Sequence, residues 1–545
     1  LLILSLAVGL VLLLACANVA NLMIARGEAR RTEMAIRLAL GASRFRLLRQ
    51  LMTEGLVLSL AGALVGLALA ALCQKALLHW AATGAVQLPR VSEVALDRPV
   101  LLFTSLLALL TPLLFGLLPA LPATRTAITG ALGTGSRGGT GSVRMHTRRA
   151  LMAAQVTIAT VLLIASGLLL KSFVRVLQQP SGIQVDHVLT FRTSLPEARY
   201  PGLQEVSDFY THLLDRVGHL PGVERAGASS GLPMAIVSGD WSFDVEGRPS
   251  PTGRHPGKAD WYVVTPGYFE ALSIGLVKGR LLRDSDDQRA APVIFLNETS
   301  ANSLFPNENP VGKRIRLTSV TGAPQPWRTI AGVVHDVRQQ GLDTPPHAEM
   351  FIPHTQFLHF SAGGQVRSMT IVVRSAVDPL ALMPEIHNQL TALDPLIPAA
   401  QVQSMDAVVS HAVADRRMIV DLIGAFGLLA LLLALIGVYG VMAYTTLQRT
   451  REIGVRMALG ASGSNVRFLI LKDGMQLVFA GTSLGLLLAA AFGRVLASLL
   501  FEVNSVDVPV FAICATAITI LAAAAIYLPA RRASVMDPMA ALRVD

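Results

Sequence analysis

Residues 452–462 read Glu-Ile-Gly-Val-Arg-Met-Ala-Leu-Gly-Ala-Ser, and residues 33–43 read Glu-Met-Ala-Ile-Arg-Leu-Ala-Leu-Gly-Ala-Ser. The two stretches lie 419 residues apart, and their match continues without a gap to residues 70 and 489, with 15 of 38 positions identical. A second match, at an offset of 410, relates 97–132 to 507–542. Agreement over this length indicates an internal duplication.

Both copies lie among long apolar segments. The chain has 545 residues, of which 52% are hydrophobic and only 15% are charged, whereas an average soluble domain carries about 25% charged residues. Seven apolar segments are long enough to cross a hydrocarbon core: 1–25, 51–78, 100–121, 149–170, 418–446, 474–500 and 509–530. Because the backbone must satisfy its own hydrogen bonds inside a bilayer, we predict that all seven are helices.

A different kind of sequence lies between the fourth and fifth apolar segments. Residues 172–415 hold 19 Lys and Arg against 24 Asp and Glu, a net charge of −5. Turn-forming Pro-Gly and Asn-Pro pairs separate short β-type runs, such as 261–264 and 369–373, from amphipathic stretches such as 203–220. This pattern predicts an α+β soluble domain of about 240 residues, or two subdomains.

The basic residues indicate the orientation of the chain. The net charge of the chain is +10. Four regions together hold 20 bases and 5 acids: the loop at 26–50, the linker before the fourth segment, the loop before the sixth segment and the C-terminus. If the seven segments cross the membrane in alternating directions, all four regions lie on the same side of it. The positive-inside rule identifies that side as the cytoplasm. Residues 172–415 are then extracytoplasmic. The basic loops carry almost no aromatic residues, so nucleic-acid binding is not expected.

The duplication predicts how the chain is organised. The parts are the last three transmembrane helices of the first copy with the loop 26–50 (1–132), a cytoplasmic Gly/Ser/Arg linker (133–148), a transmembrane helix (149–171), the extracytoplasmic domain (172–415) and a second copy with three transmembrane helices (416–545). The first copy lacks the helix and large domain that precede the second. We therefore expect such a pair before residue 1, in a longer protein.

The repeated segment is a candidate docking helix. Its Glu and Arg stand four residues apart in both copies, a spacing that supports a helix, and a glycine then ends or bends that helix. A basic amphipathic helix at the membrane surface can dock a protein or bind anionic lipid, and the preservation of these residue types in two diverged copies favours the protein. The candidate interface residues are Glu33, Arg37, Gly41, Glu452, Gly454, Arg456 and Gly460.

Small and polar residues in the spans predict helix packing. Glycines at four-residue spacing let helices approach closely; they are Gly62 with Gly66 and Gly481 with Gly485. Polar side chains are costly in lipid and are predicted to face the bundle; they are Asn18, Asn21 and Asp421.

The motifs that suggest catalysis are weak. The sequence has no G-x-x-x-x-G-K-[ST] pattern, so we do not expect the chain itself to bind ATP. Residues 133–138 fit G-x-G-x-x-G but follow a membrane helix, and residues 227–231 fit G-x-S-x-G but precede Pro233, which disfavours the helix that a hydrolase needs. The 12 histidines show no metal-ligand spacing. No catalytic, cofactor or metal site is predicted.

Several stretches resemble one known family. Residues 451–461, 529–533 and 537–538 are similar to the signature of FtsX-like permeases, the macrolide-exporter (MacB) type of ABC transporter subunit. Residues 221–224, 266–269, 279–280, 309–315 and 332–336 resemble the MacB-like periplasmic core. The tandem arrangement resembles the duplicated orphan permeases. The resemblance implies a multi-span α-helical membrane protein with about seven transmembrane helices and one large α+β MacB-like core domain.

The resemblance also implies a function. A separate cytoplasmic ABC ATPase homodimer would bind ATP and the loops, and its motion would be transmitted to the periplasmic domain for export. The implied location is the bacterial inner membrane, with membrane lipid around the helices, the core in the periplasm and the C-terminus in the cytoplasm. Export would add a periplasmic adaptor and an outer-membrane channel as partners. A regulator or scaffold of cell-envelope enzymes, and a lipoprotein-release permease, stay open as alternatives.

Overall fold

The computed structural model describes residues 2–29, 37, 43–82, 97–110, 140–237, 239–248, 257–317, 325–357, 366–459, 461–497 and 500–535. The chain divides into two compact units. The first, which we call the helical unit, comprises Leu1–Arg175 and Arg416–Asp545. The second, the sheet unit, comprises Val176–Asp415.

The elements follow one another in this order along the described residues. The helices are α1 (Leu2–Ala29), α2 (Arg44–Ala82), α3 (Arg98–Leu110), α4 (Thr140–Leu177), α5 (Leu203–Gly218), α6 (Tyr268–Ala271), α7 (Glu298–Leu304), α8 (Met383–Leu393), α9 (Met405–Gln448), α10 (Thr450–Ala458), α11 (Gly463–Leu496) and α12 (Val508–Ser534). The strands are β1 (Val188–Ser194), β2 (Val223–Ser229), β3 (Asp240–Val245), β4 (Gly257–Val264), β5 (Leu276–Gly279), β6 (Val293–Asn297), β7 (Arg314–Leu317), β8 (Arg328–Val334), β9 (Glu349–Pro353), β10 (Ser368–Ser375) and β11 (Ala400–Ser404).

Six of the described helices are long and apolar enough to cross a membrane, namely α1, α2, α4, α9, α11 and α12. The multi-span helical fold is therefore confirmed, while the predicted number of seven is approximate. The predicted span at 100–121 begins as the shorter apolar helix α3, and residues 111–121 lie outside the described part of the chain.

The helices of the second copy and α4 form one packed bundle. Met152 and Val156 of α4 share a buried cluster with Val441 of α9, Val478 of α11 and Ile526 of α12. In lipid such packing stabilises the bundle through van der Waals contact rather than through burial from water. Ser462 and Asp507 cap α11 and α12, since each side chain accepts a hydrogen bond from the third backbone N–H that follows it.

The polar residues of the spans differ in their surroundings. Asn18 of α1 donates from Nδ2 to the carbonyl oxygen of Leu433 on α9 (2.8 Å), and Gln155 of α4 donates to Oδ1 of Asn18 (3.2 Å). Asn18 is partly buried, and Asn21 is buried. The prediction for Asp421 was wrong: its side chain is exposed and lies 3.9 Å from Arg417, one turn earlier on α9. An exposed i,i+4 partner of opposite charge allows this carboxylate to remain outside the bundle.

Helix α4 begins earlier than the sequence predicts. It starts at Thr140, inside the stretch 133–148 that we predicted to be a linker, and residues 133–139 lie outside the described part. The guanidinium of Arg148 is buried and lies 3.9 Å from the centroid of the Tyr444 ring of α9. This cation–π contact stabilises the additional turns of α4, and a composition rich in Gly, Ser and Arg does not reveal such a tertiary contact.

The sheet unit contains one mixed, mainly antiparallel sheet of 11 strands among the described residues, which confirms the α+β prediction. The order is β11-β1-β10-β2-β4-β3-β7-β8-β6-β9, with β5 paired to β8 and with parallel pairs β4–β9 and β6–β8. Helices α5 and α8 pack against one face of the sheet, and α6 packs against the other. Helix α5 buries Val206, Phe209, Tyr210, Leu213 and Val217, a helical spacing that creates one apolar stripe.

Candidate docking site in the repeated segment

The repeated segment of the second copy forms the short helix α10 between α9 and α11. Arg456 donates from Nη2 to Oε1 of Glu452 (2.6 Å), and both side chains are about half exposed. Ile453 and Gly454, on the opposite side of the helix, are buried, and Ile453 joins the apolar cluster of the bundle. The helix is therefore attached through one side and presents its charged pair on the other.

The exposed side of α10 also carries apolar residues. Val455 is exposed, and Leu459, directly after the helix, is 84% exposed. Water solvates a charged pair readily, but an exposed leucine beside it gains free energy when a partner covers it. This combination of an apolar contact and an oriented charge pair is suited to docking a protein.

A second ion pair, which the motif comparison does not reveal, connects the start of α10 to α11. Arg449 precedes α10 and donates from Nη1 to Oδ2 of Asp473 on α11 (2.8 Å), with both side chains about one-third exposed. The duplication contains a signal for it, because the 419-residue offset places Arg30 opposite Arg449 and Glu54 opposite Asp473. The same pair of charges is therefore present in both copies.

The first copy of the site is described only in part. Arg37 is helical and exposed, and its Nη1 donates to Oε1 of Gln50 on α2 (2.9 Å). Glu33 and Gly41 lie outside the described residues, as does Gly460 of the second copy. The docking role of Glu33, Arg37 and Gly41 stays a prediction.

The four predicted packing glycines fall into two classes. A Cβ built on Gly481 would lie 2.7 Å from the carbonyl oxygen of Ala153, and one built on Gly485 would lie 2.6 Å from Cβ of Thr160. Both glycines of α11 therefore lie directly against α4. A Cβ at Gly62 or Gly66 of α2 would have no atom of the described residues within 4 Å. The packing role of Gly62 and Gly66 stays a prediction.

The next question is whether acidic, histidine and cysteine side chains cluster in the described ranges. No group of three or more His, Cys, Asp or Glu side chains in the described ranges is arranged to hold a metal ion. The docking segment itself offers an ion pair, a buried attachment side and an exposed leucine, which are binding features rather than catalytic ones.

Two family models match the chain. The FtsX-like permease C-terminal domain matches twice, at residues 5–128 and 424–538, and the MacB-like periplasmic core domain matches residues 150–389. The double match agrees with the internal duplication. Together with the spanning helices, the matches define the class: a multi-pass membrane protein with a large MacB-like periplasmic core domain. The chain belongs to the FtsX/MacB type of ABC permeases.

Named relatives fit this family. The macrolide export ATP-binding/permease protein MacB of Mannheimia succiniciproducens is 24% identical over 374 residues, which cover 68% of this chain and 54% of that protein. MacB of Marinobacter nauticus is 27% identical over 49% of this chain and 40% of that protein. The probable syringafactin export ATP-binding/permease protein SyfD of Pseudomonas syringae pv. tomato is 27% identical over 52% and 42%, respectively. The chain thus spans about half the length of the curated relatives it matches.

Solved structures of related domains are also similar. The periplasmic region of MacB from Actinobacillus actinomycetemcomitans has a TM-score of 0.29 and 18% identity, and covers 44% of this chain and 97% of that structure. The extracellular domain of the noncanonic ABC-type transporter YknZ from Gram-positive bacteria has a TM-score of 0.24 and 16% identity, over 38% of this chain and 91% of that structure. The family assignment rests on the two family models.

Proposed function

We propose that the chain is the permease part of an ABC export system and transmits the motion of a separate cytoplasmic ATPase to the periplasmic core. In this proposal the ATPase is a homodimer that binds and hydrolyses ATP and docks on the repeated segments. The observation that carries the proposal is the exposed side of α10, where the Glu452–Arg456 pair stands beside Leu459 in the sequence that the duplication preserved.

The connectivity of the chain supports transmission. Helix α9 begins at Met405, the residue after β11, and continues without a break to Gln448, two residues before α10. At 1.5 Å per residue, its 44 residues form a rod of about 66 Å. In this proposal a displacement imposed on α10 passes through Arg449 into α9, whose first residue directly follows β11.

The distribution of charge supports the proposed orientation. The regions that contain the repeated segments, the linker and the C-terminus are strongly basic, whereas 172–415 is acidic. From the positive-inside rule we infer that α10 and the C-terminus face the cytoplasm and that the sheet unit is periplasmic. The proposed membrane is the inner membrane of a bacterium. An ATPase in the cytoplasm can reach α10 only in this orientation.

The names of several relatives support export over the alternatives. MacB is named for macrolide export and SyfD for probable syringafactin export. Export from the periplasm would use an adaptor and an outer-membrane channel as further partners. Cross-linking in intact cells separates the cases: a captured adaptor supports export, a captured cell-wall hydrolase supports regulation, and a captured lipoprotein supports lipoprotein release.

A double substitution tests the docking site. Glu452→Lys with Arg456→Glu keeps an i,i+4 pair on α10 but reverses the charges presented to a partner. We expect the amount of co-purifying ATPase to fall about tenfold or more relative to the wild type. Disrupting a binding hot spot costs roughly 2 kcal/mol of binding free energy, and about 1.4 kcal/mol corresponds to a tenfold change in affinity.

The chain offers a matched control. Arg417 and Asp421 form another exposed i,i+4 pair, on α9. The exchange Arg417→Asp with Asp421→Arg should leave co-purification of the ATPase unchanged. If both double variants retain the same amount of ATPase as the wild type, α10 is not the docking site.

A further inference from the structure

A pocket of about 280 Å³ lies at one edge of the sheet, and all of its lining residues belong to the sheet unit. Strands β1, β10 and β11, the loop after β2 and the first turns of α9 supply its lining. We call it the Arg192 pocket. Its lining residues are Thr190, Arg192, Leu232, Ala235, Ile236, Thr370, Gln401, Val402, Gln403 and His411.

The floor of the Arg192 pocket is polar. Thr190 and Arg192 are two residues apart on β1 and so project from the same face of the sheet, and Arg192 is paired directly with Thr370 of β10. The hydroxyl of Thr190 donates to the carbonyl oxygen of Gln403 (3.1 Å), and Arg192 donates from Nε to the hydroxyl of Ser368 (2.8 Å). These two contacts hold the floor in place.

The side-chain hydroxyl of Thr370 is an unsatisfied polar group. The residue is only 3% exposed, and within the described part of the chain its hydroxyl oxygen is buried and lacks a hydrogen-bond partner. A buried polar group without a partner costs roughly 1–3 kcal/mol. A ligand in the pocket can supply the hydrogen bond that the Thr370 hydroxyl lacks. This hydrogen bond favours the bound state of the ligand.

The apolar part of the lining, which we call the wall, lies in a hydrogen-bonded loop. Leu232, Ala235 and Ile236 belong to a tight loop in which Leu232 and Ile236 exchange backbone hydrogen bonds of 3.0 and 2.9 Å. Met234 adopts a positive φ of 63°, and its N–H donates to the carbonyl oxygen of Gln339 (2.7 Å). The pocket is therefore formed before any ligand binds, and preorganisation reduces the entropic cost of binding.

The charges of the lining select the ligand. Among the described residues, the lining contains the guanidinium of Arg192 and the imidazole of His411 but no carboxylate. The planar fork of an arginine matches a carboxylate in geometry and in charge. A volume of 280 Å³ is at the lower end for small-molecule sites, and the wall of Leu232 and Ile236 favours a short aliphatic group.

We propose that the Arg192 pocket binds a small aliphatic carboxylate, with the carboxylate against Arg192 and the hydroxyl of Thr370 and the aliphatic group against Leu232 and Ile236. A free acid and the C-terminal residue of a peptide share this chemistry. The proposal concerns binding by the sheet unit and does not depend on the docking of an ATPase.

Calorimetric titration of the full chain in lipid nanodiscs tests the proposal. N-acetyl-leucine provides the carboxylate and the aliphatic group, and N-acetyl-leucinamide provides the same body without the charge. We expect saturable binding of the acid and at least tenfold weaker binding of the amide. No saturable binding of the acid, or equal binding of acid and amide, overturns the proposal.

Two variants assign the binding to this pocket. Arg192→Gln removes the charge, and Thr370→Val removes the hydroxyl while keeping the shape of the side chain. Each should weaken binding of N-acetyl-leucine at least fivefold while the unfolding temperature stays near that of the wild type; unchanged affinity in both variants contradicts the assignment. If Arg192→Gln does not fold, Thr370→Val and the acid–amide comparison still decide the question.

An acetylated tripeptide ending in leucine distinguishes the two sources of the carboxylate. Tighter binding than that of N-acetyl-leucine identifies a peptide C-terminus, and equal or weaker binding identifies a free acid.

Discussion

The guanidinium of Arg449 lies 2.8 Å from the carboxylate of Asp473 and so connects the start of α10 to α11. Arg449 is the residue at the N-terminal boundary of α10, and Asp473 lies about three turns into α11. The pair thus fixes the short docking helix relative to a long spanning helix. The duplication places Arg30 and Glu54 at the corresponding positions of the first copy.

Breaking this pair should affect docking more than stability. Both side chains are about one-third exposed, and such pairs contribute no more than about 1 kcal/mol to the free energy of unfolding. We expect Asp473→Asn to lower the unfolding temperature only slightly but to reduce ATPase co-purification severalfold, because α10 loses its fixed orientation. The exchange Arg449→Asp with Asp473→Arg should restore co-purification. Failure of the exchange to restore it, with a folded protein, argues against a positioning role.

The glycines of the two copies should respond to substitution with opposite signs. Alanine at Gly481 brings a Cβ to 2.7 Å from the carbonyl oxygen of Ala153, and such overpacking costs about 1–3 kcal/mol. Alanine at Gly62 meets nothing within 4 Å among the described residues and gains roughly 1 kcal/mol of helix propensity. Thermal unfolding in detergent should therefore show a lower midpoint for Gly481→Ala and an equal or higher one for Gly62→Ala. Equal effects of the two substitutions would contradict the packing of α11 on α4.

The buried Glu349 should make the stability of the sheet unit depend on pH. This residue of β9 is only 1% exposed, and burial, followed by the charges of Asp260 and Asp336, raises the pKa of its carboxyl from 4.5 to about 9. A raised pKa in the folded state means that the stabilisation is complete below pH 4.5 and is lost as the pH rises toward 9. Glutamine resembles the protonated acid, so Glu349→Gln should raise the unfolding temperature at pH 8 more than at pH 5.

Unfolding scans at several pH values check this expectation. The difference between the midpoints of Glu349→Gln and the wild type should grow steadily from pH 5 to pH 8.5. A difference that stays constant over this range would show that the carboxyl of Glu349 is not protonated in the folded protein. Glu385, an acidic residue on the surface of α8, provides the matched control, and Glu385→Gln should show no such trend.

The parts of the fold that the sequence predicts well are those with strong periodic or compositional signals. Long apolar segments give the spanning helices, because few other structures place 20 apolar residues in a row. Turn residues and alternating runs predict the strands at 261–264 and 369–373, which are parts of β4 and β10. The start of α4 at Thr140 was missed, because it depends on the contact between Arg148 and Tyr444, nearly 300 residues apart in sequence.

The site is predicted from sequence only in outline. The duplication identifies the segment around Glu452 and Arg456, and the i,i+4 spacing predicts their ion pair. The sequence does not reveal that Leu459 is exposed or that Ile453 is buried. Both are aliphatic residues in the same short stretch, and only their packing distinguishes them. The Arg192 pocket is also hidden in the sequence, because its lining comes from five separate elements.

Site-directed cross-linking can show whether an ATPase docks on the exposed side of α10. We expect Leu459→Cys, at a position that is 84% exposed, to cross-link in intact membranes to an ABC ATPase that binds ATP. Leu396→Cys, at a position of the sheet unit that is 69% exposed, should not. If Leu459→Cys forms no cross-link to an ATPase, or if Leu396→Cys gives an equal yield, the exposed side of α10 is not the docking surface.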